Sequence, residues 1–302
     1  MNVLELDRVS KAYDGHVAVE GLSLAIAEGA IFGLLGPNGA GKTTAIRMMV
    51  GIIAPDAGAV RIFGEPFARR HLRGVGYIPE ERGLYRKVRL DEHLRFLGRL
   101  NGLTRAAADD AARRWCRRLE LDGWLARRVE ELSKGMQQKA QFIAAVMHRP
   151  RLLVLDEPFS GLDPVNAATL IEALEELRQA GATILLSTHR MDQVERLCDA
   201  LCLIDRGRAV LAGGLREIRR RFGGHSVALD FEGDPGFLDD ARLVADSVRR
   251  NGHLEVRLSP GADAQELLRR ALGAGRVTRF EAIAPSLEEI FIALVRGGAD
   301  GR

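Results

Sequence analysis

Cysteine is scarce in this 302-residue chain: three residues, Cys116, Cys198 and Cys202. An odd number at those spacings excludes a disulfide framework and fits no zinc ligand set, so they read as small core or near-surface residues. No apolar run approaches the ~20 residues that span a bilayer. The start, Met1-Asn2-Val3-Leu4-Glu5, lacks a charged-then-apolar export pattern, which leads to the expectation of a cytoplasmic protein. Net charge is only +3, too balanced to imply nucleic-acid binding. Internal repeats, low-complexity tracts and heptads are missing too. Lysine is rarest among the cations, with 5 Lys against 39 Arg. Where a lysine persists in such a chain, a compact ammonium is worth asking about. What is present is 46% hydrophobic content, ample for packed cores, and a length that suggests two domains.

One persistent lysine closes Gly36-Pro37-Asn38-Gly39-Ala40-Gly41-Lys42-Thr43, a G-x-x-x-x-G-K-[ST] loop. It is entered from the apolar run 30–35 and followed by a helical segment, Thr44 to Met49. Glycines let successive N–H groups curl around a polyphosphate, and the helix N-terminus adds partial positive charge. Lys42 would reach the β and γ phosphates, the Thr43 hydroxyl would ligate Mg2+, and Thr44 would lie near the α and β phosphates. Lys11 and Lys87 persist without a reason visible in the sequence.

Downstream, Leu152-Leu153-Val154-Leu155 reads as a buried strand ending in Asp156-Glu157. Alone, such an ending is a surface turn. Behind a phosphate loop, Asp156 becomes a candidate Mg2+ holder and Glu157 the carboxylate that polarises the attacking water. His189, just past another buried strand, would contact the γ phosphate or hold the Glu157 water; a lone histidine there would be structural.

Further elements follow from periodicity. Residues 3–9 and 21–26 alternate like half-buried antiparallel strands around the turn Asp14-Gly15. Tyr13 sits at that turn, where its ring either stacks on a nucleotide base or is an ordinary edge aromatic. Runs 30–35, 152–155 and 183–187 have the continuous apolar character of parallel strands buried on both faces. Residues 90–100, 105–119 and 134–148 read as helices, so a helical subdomain spanning about 87–150 is inserted into an α/β core. Arg113, Arg114, Arg117 and Arg118 form one basic face, read as solvated in preference to a lipid or partner contact. Asp163 caps a helix beginning at Pro164, another helix spans 192–197, and 200–205 pairs with 208–211. A boundary near Gly213-Gly214 gives domains 1–215 and 216–302. The second is a small α+β unit with strands at 226–231, 244–250, 253–258 and 276–283. Its helix 264–272 precedes a last helix boxed by Ser286 and Glu289, and Asn251-Gly252 is its hairpin turn. No catalytic constellation is evident there.

Leu132-Ser133-Lys134-Gly135-Met136-Gln137, shortly before the Asp-Glu strand, completes a set that resembles the ATP-binding subunits of ABC transporters. Ser133 caps the following helix, whose N-terminus with Gly135 presents N–H groups to an anion. The resemblance covers about 1–215 and implies a P-loop ABC ATPase core with an antiparallel β subdomain. It implies ATP and Mg2+ as cofactors, and a second copy or a paralogue whose Ser133 and Gly135 face the γ phosphate across the interface, with Asp163 lining it. It further implies Tyr13 as the adenine-stacking residue and His189 as the switch histidine. Glu80 stands where the family has Gln, and as a carboxylate still suits Mg2+; Lys134 and Met136 replace the usual Gly and Gln.

Pro79-Glu80-Glu81-Arg82-Gly83-Leu84-Tyr85 and Ala284-Pro285-Ser286-Leu287-Glu288-Glu289-Ile290-Phe291 are similar to ABC-2 type exporters, a branch with sodium-efflux and drug-export ATPases. That similarity implies an ATP-hydrolysing exporter subunit, peripheral on the inner face of the cell membrane. Its partner is a separate membrane permease, docked through the Glu80 loop and the helical subdomain, and no nucleic acid is expected. The alternative is a soluble ABC ATPase remodelling a ribosome or nucleic-acid complex, which would usually carry two cassettes or a coiled-coil insertion. A binding-only cassette is disfavoured by Glu157 and His189.

Overall fold

Alternating apolar residues make β1 (Asn2–Tyr13) and β2 (His16–Ala27) an antiparallel hairpin, with Val3, Leu4, Leu6, Leu22, Leu24 and Ile26 buried. Asp14 and Gly15 turn it with φ of 46° and 83°, the positive pair that a two-residue hairpin loop requires. In the computed structural model, residues 1–81, 83–222, 226–250, 253–283 and 286–297 are described. The chain divides into two units, Met1–Gly213 and Gly214–Arg302.

β4 (Ala57–Ile62) and β5 (Glu65–Pro66) extend the hairpin into a sheet of order β2-β1-β4-β5. Neither strand was expected from the sequence. In β4 only Val60 and Ile62 are buried, so its alternation is short. Its pairing with β1 also shifts register between Asp7 and Ser10, where a Cβ at Gly58 would lie 2.4 Å from the carbonyl oxygens of Asp7 and Arg8. Such a bulge hides a strand from pattern reading.

The second sheet has the order β10-β9-β3-β8-β7-β6. Its members are β3 (Ile31–Leu35), β6 (Val75–Ile78), β7 (Leu152–Asp156), β8 (Thr183–Thr188), β9 (Ala200–Asp205) and β10 (Arg208–Gly214). Pairs β3·β8, β3·β9, β6·β7 and β7·β8 are parallel. Every residue of β3, β7 and β8 is buried, matching the continuous apolar runs, and each fully buried aliphatic side chain contributes roughly 1.5–3 kcal/mol. The four-residue β6 was not anticipated. Crossovers run through α1 (Lys42–Met49), α5 (Pro164–Gln179) and α6 (Met191–Leu197).

Between β6 and β7 the chain inserts α2 (Leu90–Leu100), α3 (Arg105–Arg118) and α4 (Lys134–Val146). Thr104 and Ser133 cap α3 and α4, their hydroxyls accepting from Ala107 N and Met136 N. All three cysteines are buried and free, and burial pushes their thiols up to about 12.

Among the described residues, the second unit is an antiparallel sheet, β12-β13-β11-β14, with three α-helices. It comprises α7 (Leu215–Phe222), β11 (Ser226–Gly233), β12 (Val244–Arg250), β13 (His253–Leu258), α8 (Ala264–Ala274), β14 (Gly275–Ile283) and α9 (Leu287–Gly297). Leu267 and Ala271 of α8 share a core with Val227, Leu229, Val256 and Leu258. Ser286 and Glu289 form the expected capping box: Oγ accepts from Glu289 N at 3.2 Å and Oε2 from Ser286 N at 2.8 Å. The expected turn at 251–252 and the 284–285 part of the terminal motif lie outside the described residues. Among the described residues, no helix is long and apolar enough to cross a membrane.

His93, in α2, is 1% exposed, with no hydrogen-bond partner at either ring nitrogen and the Tyr85 ring 5.6 Å away. Burial holds its pKa below the ordinary 6.5. The folded protein therefore keeps it neutral while the unfolded chain binds a proton near that value, so stability falls as pH drops below 6.5. The prediction is that Tm falls between about pH 7.5 and 5.5 less steeply in His93→Phe than in the parent. Equal slopes would contradict it.

Candidate nucleotide site

Strand register builds the site. Leu35 at the end of β3 pairs with Thr188 of β8, and Asp156 at the end of β7 pairs with Ser187. Three buried strands thus deliver the glycine loop, the acidic pair and His189 to one edge of the sheet, outside the carboxyl ends of its strands. A cleft of about 360 Å³ opens there, lined by Asn38, Gly39, Gly41, Lys42, Thr43, Thr44, Glu80, Asp156, Glu157 and Ala18. Nine of these belong to the residues expected from the sequence. Ala18, from β2, does not: its carbonyl would lie 2.4 Å from a Cβ at Gly41, where φ is 104°. Gly41 therefore permits both the left-handed turn and the close approach of β2. Nothing in an alanine within a strand signals that.

Lys42 is 7% exposed and folds back on the loop, its Nζ donating to Gly36 O at 2.7 Å and Pro37 O at 3.1 Å. Burial lowers its pKa, opposed by the charges of Glu157, Asp156 and Glu80. Ala40 is buried beneath the loop. The Thr43 hydroxyl donates to Asp156 Oδ2 at 3.0 Å. Burial raises the Asp156 carboxyl, and the Ser187 and Thr43 hydroxyls beside it act in the opposite sense. The Ser187 hydroxyl does not reach Oδ1 with hydrogen-bond geometry, so Oδ1 is buried without a partner.

That orphaned oxygen bears on Mg2+. No cluster of three or more His, Cys, Asp or Glu able to hold a metal exists among the described residues. Mg2+ takes one or two protein oxygens and fills its octahedron with phosphate and water, so a dedicated cage is unnecessary. Asp156 Oδ1, the Thr43 hydroxyl and Glu80, all hard donors in one cleft, fit such an ion.

Glu157 follows the strand with φ of 50°, a strained conformation for a residue with a Cβ and one that costs on the order of 1 kcal/mol. Its Oε1 accepts from His189 N at 2.9 Å and pairs with His189 Nδ1 at 2.8 Å. Thr188 Oγ1 lies 3.4 Å from Oε2 and 3.2 Å from Gln193 Oε1. The carboxylate is thus oriented by two consecutive residues at the end of β8. Thr188 and Gln193 were not anticipated, because neither residue type marks a site.

Ser133, Gly135 and Asp163 do not line the cleft of their own chain. Asp163 caps α5 as expected, accepting from Val165 N and Asn166 N. A Cβ at Gly135 would lie 3.6 Å from Leu162 and Asn166, so the signature segment packs beside the Asp163 turn. From the same helix, Gln138 Nε2 donates to Pro158 O at 2.9 Å and Gln141 Nε2 to Pro79 O at 3.2 Å. α4 is bonded both to the segment following Glu157 and to the one preceding Glu80. Tyr13 stands at the hairpin tip, 43% exposed and outside the cleft lining. Lys11 now has a reason: its Nζ donates to Asp56 Oδ1 at 2.6 Å and sits 5.8 Å from the Tyr13 ring centroid, while Ala12 N donates to Asp56 Oδ2 at 2.8 Å. The pair pins the strand end that carries Tyr13.

A phosphate loop entering a helix beside an acidic strand end defines a nucleotide triphosphatase of the P-loop class. Residues 19–160 match the family model "ABC transporter" and residues 213–295 match "ATP-binding protein DrrA1-3-like, C-terminal domain". The chain is 41% identical to the ABC transporter ATP-binding protein YhaQ of Bacillus subtilis, over 97% of this chain and 98% of that protein. It is 34% identical to Nod factor export ATP-binding protein I of Rhizobium etli, over 97% and 93%, and 31% identical to linearmycin resistance ATP-binding protein LnrL of Bacillus subtilis, over 97% and 98%. A solved "ATP binding subunit of ABC transporter" superposes with a TM-score of 0.68 at 36% identity, covering 73% of this chain and 93% of that one. The chain belongs to the ABC transporter ATP-binding proteins, a family that binds and hydrolyses ATP and whose members dimerise and work with membrane permeases.

If the Lys11–Asp56 pair orients Tyr13 toward a base, Asp56→Asn will weaken ATP binding roughly three- to tenfold and leave inorganic triphosphate binding unchanged. Equal loss for both ligands in a titration would contradict this.

Proposed function

We propose that this chain is the ATP-hydrolysing subunit of an exporter, in which two copies, or this chain and a paralogue, close on ATP and drive a separate membrane permease. The observation that carries the proposal is similarity to the Nod factor export and linearmycin resistance relatives over 97% of this chain, second unit included. It would work at the inner face of the membrane.

The site supports a division of labour. Gly36 to Thr44 wrap the phosphates, with Lys42 between the β and γ groups and backbone N–H groups of Asn38, Gly39, Ala40 and Gly41 around the chain of charge. Thr43, Asp156 and Glu80 would hold Mg2+, which when bound neutralises phosphate charge as the γ group departs. Glu157 polarises the attacking water. Its Oε1 is held by the His189 N–H and Nδ1 at 2.8–2.9 Å, so Oε2 is the oxygen turned to that task. For Nδ1 to donate it must carry the ring proton, which leaves Nε2 to face the γ phosphate only when the ring is doubly protonated, or the water when it is neutral. Ser133 and Gly135 serve the partner's ATP, consistent with their position outside the cleft of their own chain.

The permease surface is proposed to be a groove of about 390 Å³ lined by Ile52, Leu72, Tyr77, Pro79, Leu84 and Leu97, among others. Tyr85, Phe96 and Leu100, exposed by 56%, 51% and 70%, add apolar surface on the same loop and helix. Because Gln141 bonds to Pro79 on this groove and Gln138 to Pro158 beside Glu157, docking and hydrolysis share α4.

The test is capture of Glu157→Gln with Mg-ATP from gently solubilised cells, followed by mass spectrometry. A multi-spanning membrane protein is the expected partner. Ribosomal proteins or nucleic acid in its place would overturn the exporter reading.

A further inference from the structure

A second cleft in the first unit, of about 540 Å³, shares no lining residue with the nucleotide cleft and exceeds it in volume. α3 forms one wall, the turn between α4 and β7 the floor, and the end of α5 with the turn into β8 the other wall. Trp115, Val146, Pro150 and Leu177 make it apolar. Four arginines, Arg114, Arg118, Arg149 and Arg151, and a single acid, Glu176, make its charge lopsided.

The acid is already committed. Arg118 donates to Glu176 at 2.6 Å and reaches Glu172 at 3.3 Å, strapping the inserted helices to the catalytic layer. Arg151 lies 3.5 Å from Glu28 and 4.3 Å over the Phe63 ring. Arg114 and Arg149 form no ion pair among the described residues and are exposed. Arg149 also has φ of 56°, in the turn that follows α4, a left-handed conformation that favours glycine or asparagine. An arginine therefore stands at a backbone position that disfavours it. Two members of the basic face read from the sequence, Arg114 and Arg118, rim this cleft beside Trp115.

Two uncommitted guanidinium groups beside apolar walls match one ligand chemistry. The planar forks pair with a carboxylate or phosphate, and Trp115 with its aliphatic neighbours takes the body that carries it. We propose that this cleft binds an amphipathic organic anion, a carboxylate or phosphate monoester on an alkyl or aryl body, entering as a free molecule. Its occupant touches both the inserted helices and the catalytic layer, so it reinforces the Arg118–Glu176 strap between them.

The chain has two tryptophans, and Trp124 stands outside the cleft lining. Trp124→Phe therefore leaves Trp115 as the sole indole, a reporter inside the site. Titration of that protein with decyl phosphate below its micelle concentration is expected to give a saturable change in emission. Decanol and inorganic phosphate should each bind at least tenfold more weakly. Adding Arg114→Gln with Arg149→Gly, the glycine suiting the left-handed turn, should weaken decyl phosphate at least tenfold with basal ATP turnover unchanged. The proposal is overturned if decanol matches decyl phosphate, if the double variant binds as before, if no saturable change occurs, or if only phosphatidylglycerol vesicles produce one.

Discussion

The site depends on the register of three buried parallel strands. Pairing Leu35 with Thr188 and Asp156 with Ser187 puts a glycine loop, an acidic pair and a histidine within one hydrogen-bonding neighbourhood, although the loop lies more than a hundred residues before the other two in sequence. A one-residue slip would turn every side chain to the opposite face, and wholly apolar strands resist that through burial on both sides. Glu157 is where the constraint becomes chemistry. It leaves the strand in a left-handed conformation and is held there by its own N–H to Ser187 O at 3.0 Å and by His189 on its carboxylate. Strain at that position is offset by the sheet beneath it.

From this edge, two side-chain bonds carry the arrangement outward. Gln138 reaches Pro158 and Gln141 reaches Pro79, so the helix begun by Ser133 is tied to the nucleotide edge at two points three residues apart, on one helix face. Gln141 Oε1 is buried without a protein hydrogen-bond partner. In the exporter proposed above, these bonds would link the nucleotide edge to the docking groove within the first unit.

Much of this was legible in the sequence because it rests on local signals. The phosphate loop, the apolar runs of β3, β7 and β8, the cap at Asp163 and the box at Ser286 each announce themselves within a few residues. What escaped depends on long-range approach. β4 hides behind a bulge at Arg8, and β6 is four residues long. Ala18 matters through its carbonyl, and Thr188, Gln138 and Gln141 matter through partners far off in sequence. Lys11 was visible as an anomaly of composition, and its partner Asp56, 45 residues away, was not.

The account stands or falls on Glu157 as the group that activates water. Measuring ATP turnover and ATP affinity of Glu157→Gln beside the parent tests it directly. The account predicts retained affinity with turnover lowered by about 10²–10⁴, the range for losing a general base. Undiminished turnover at unchanged affinity would contradict it.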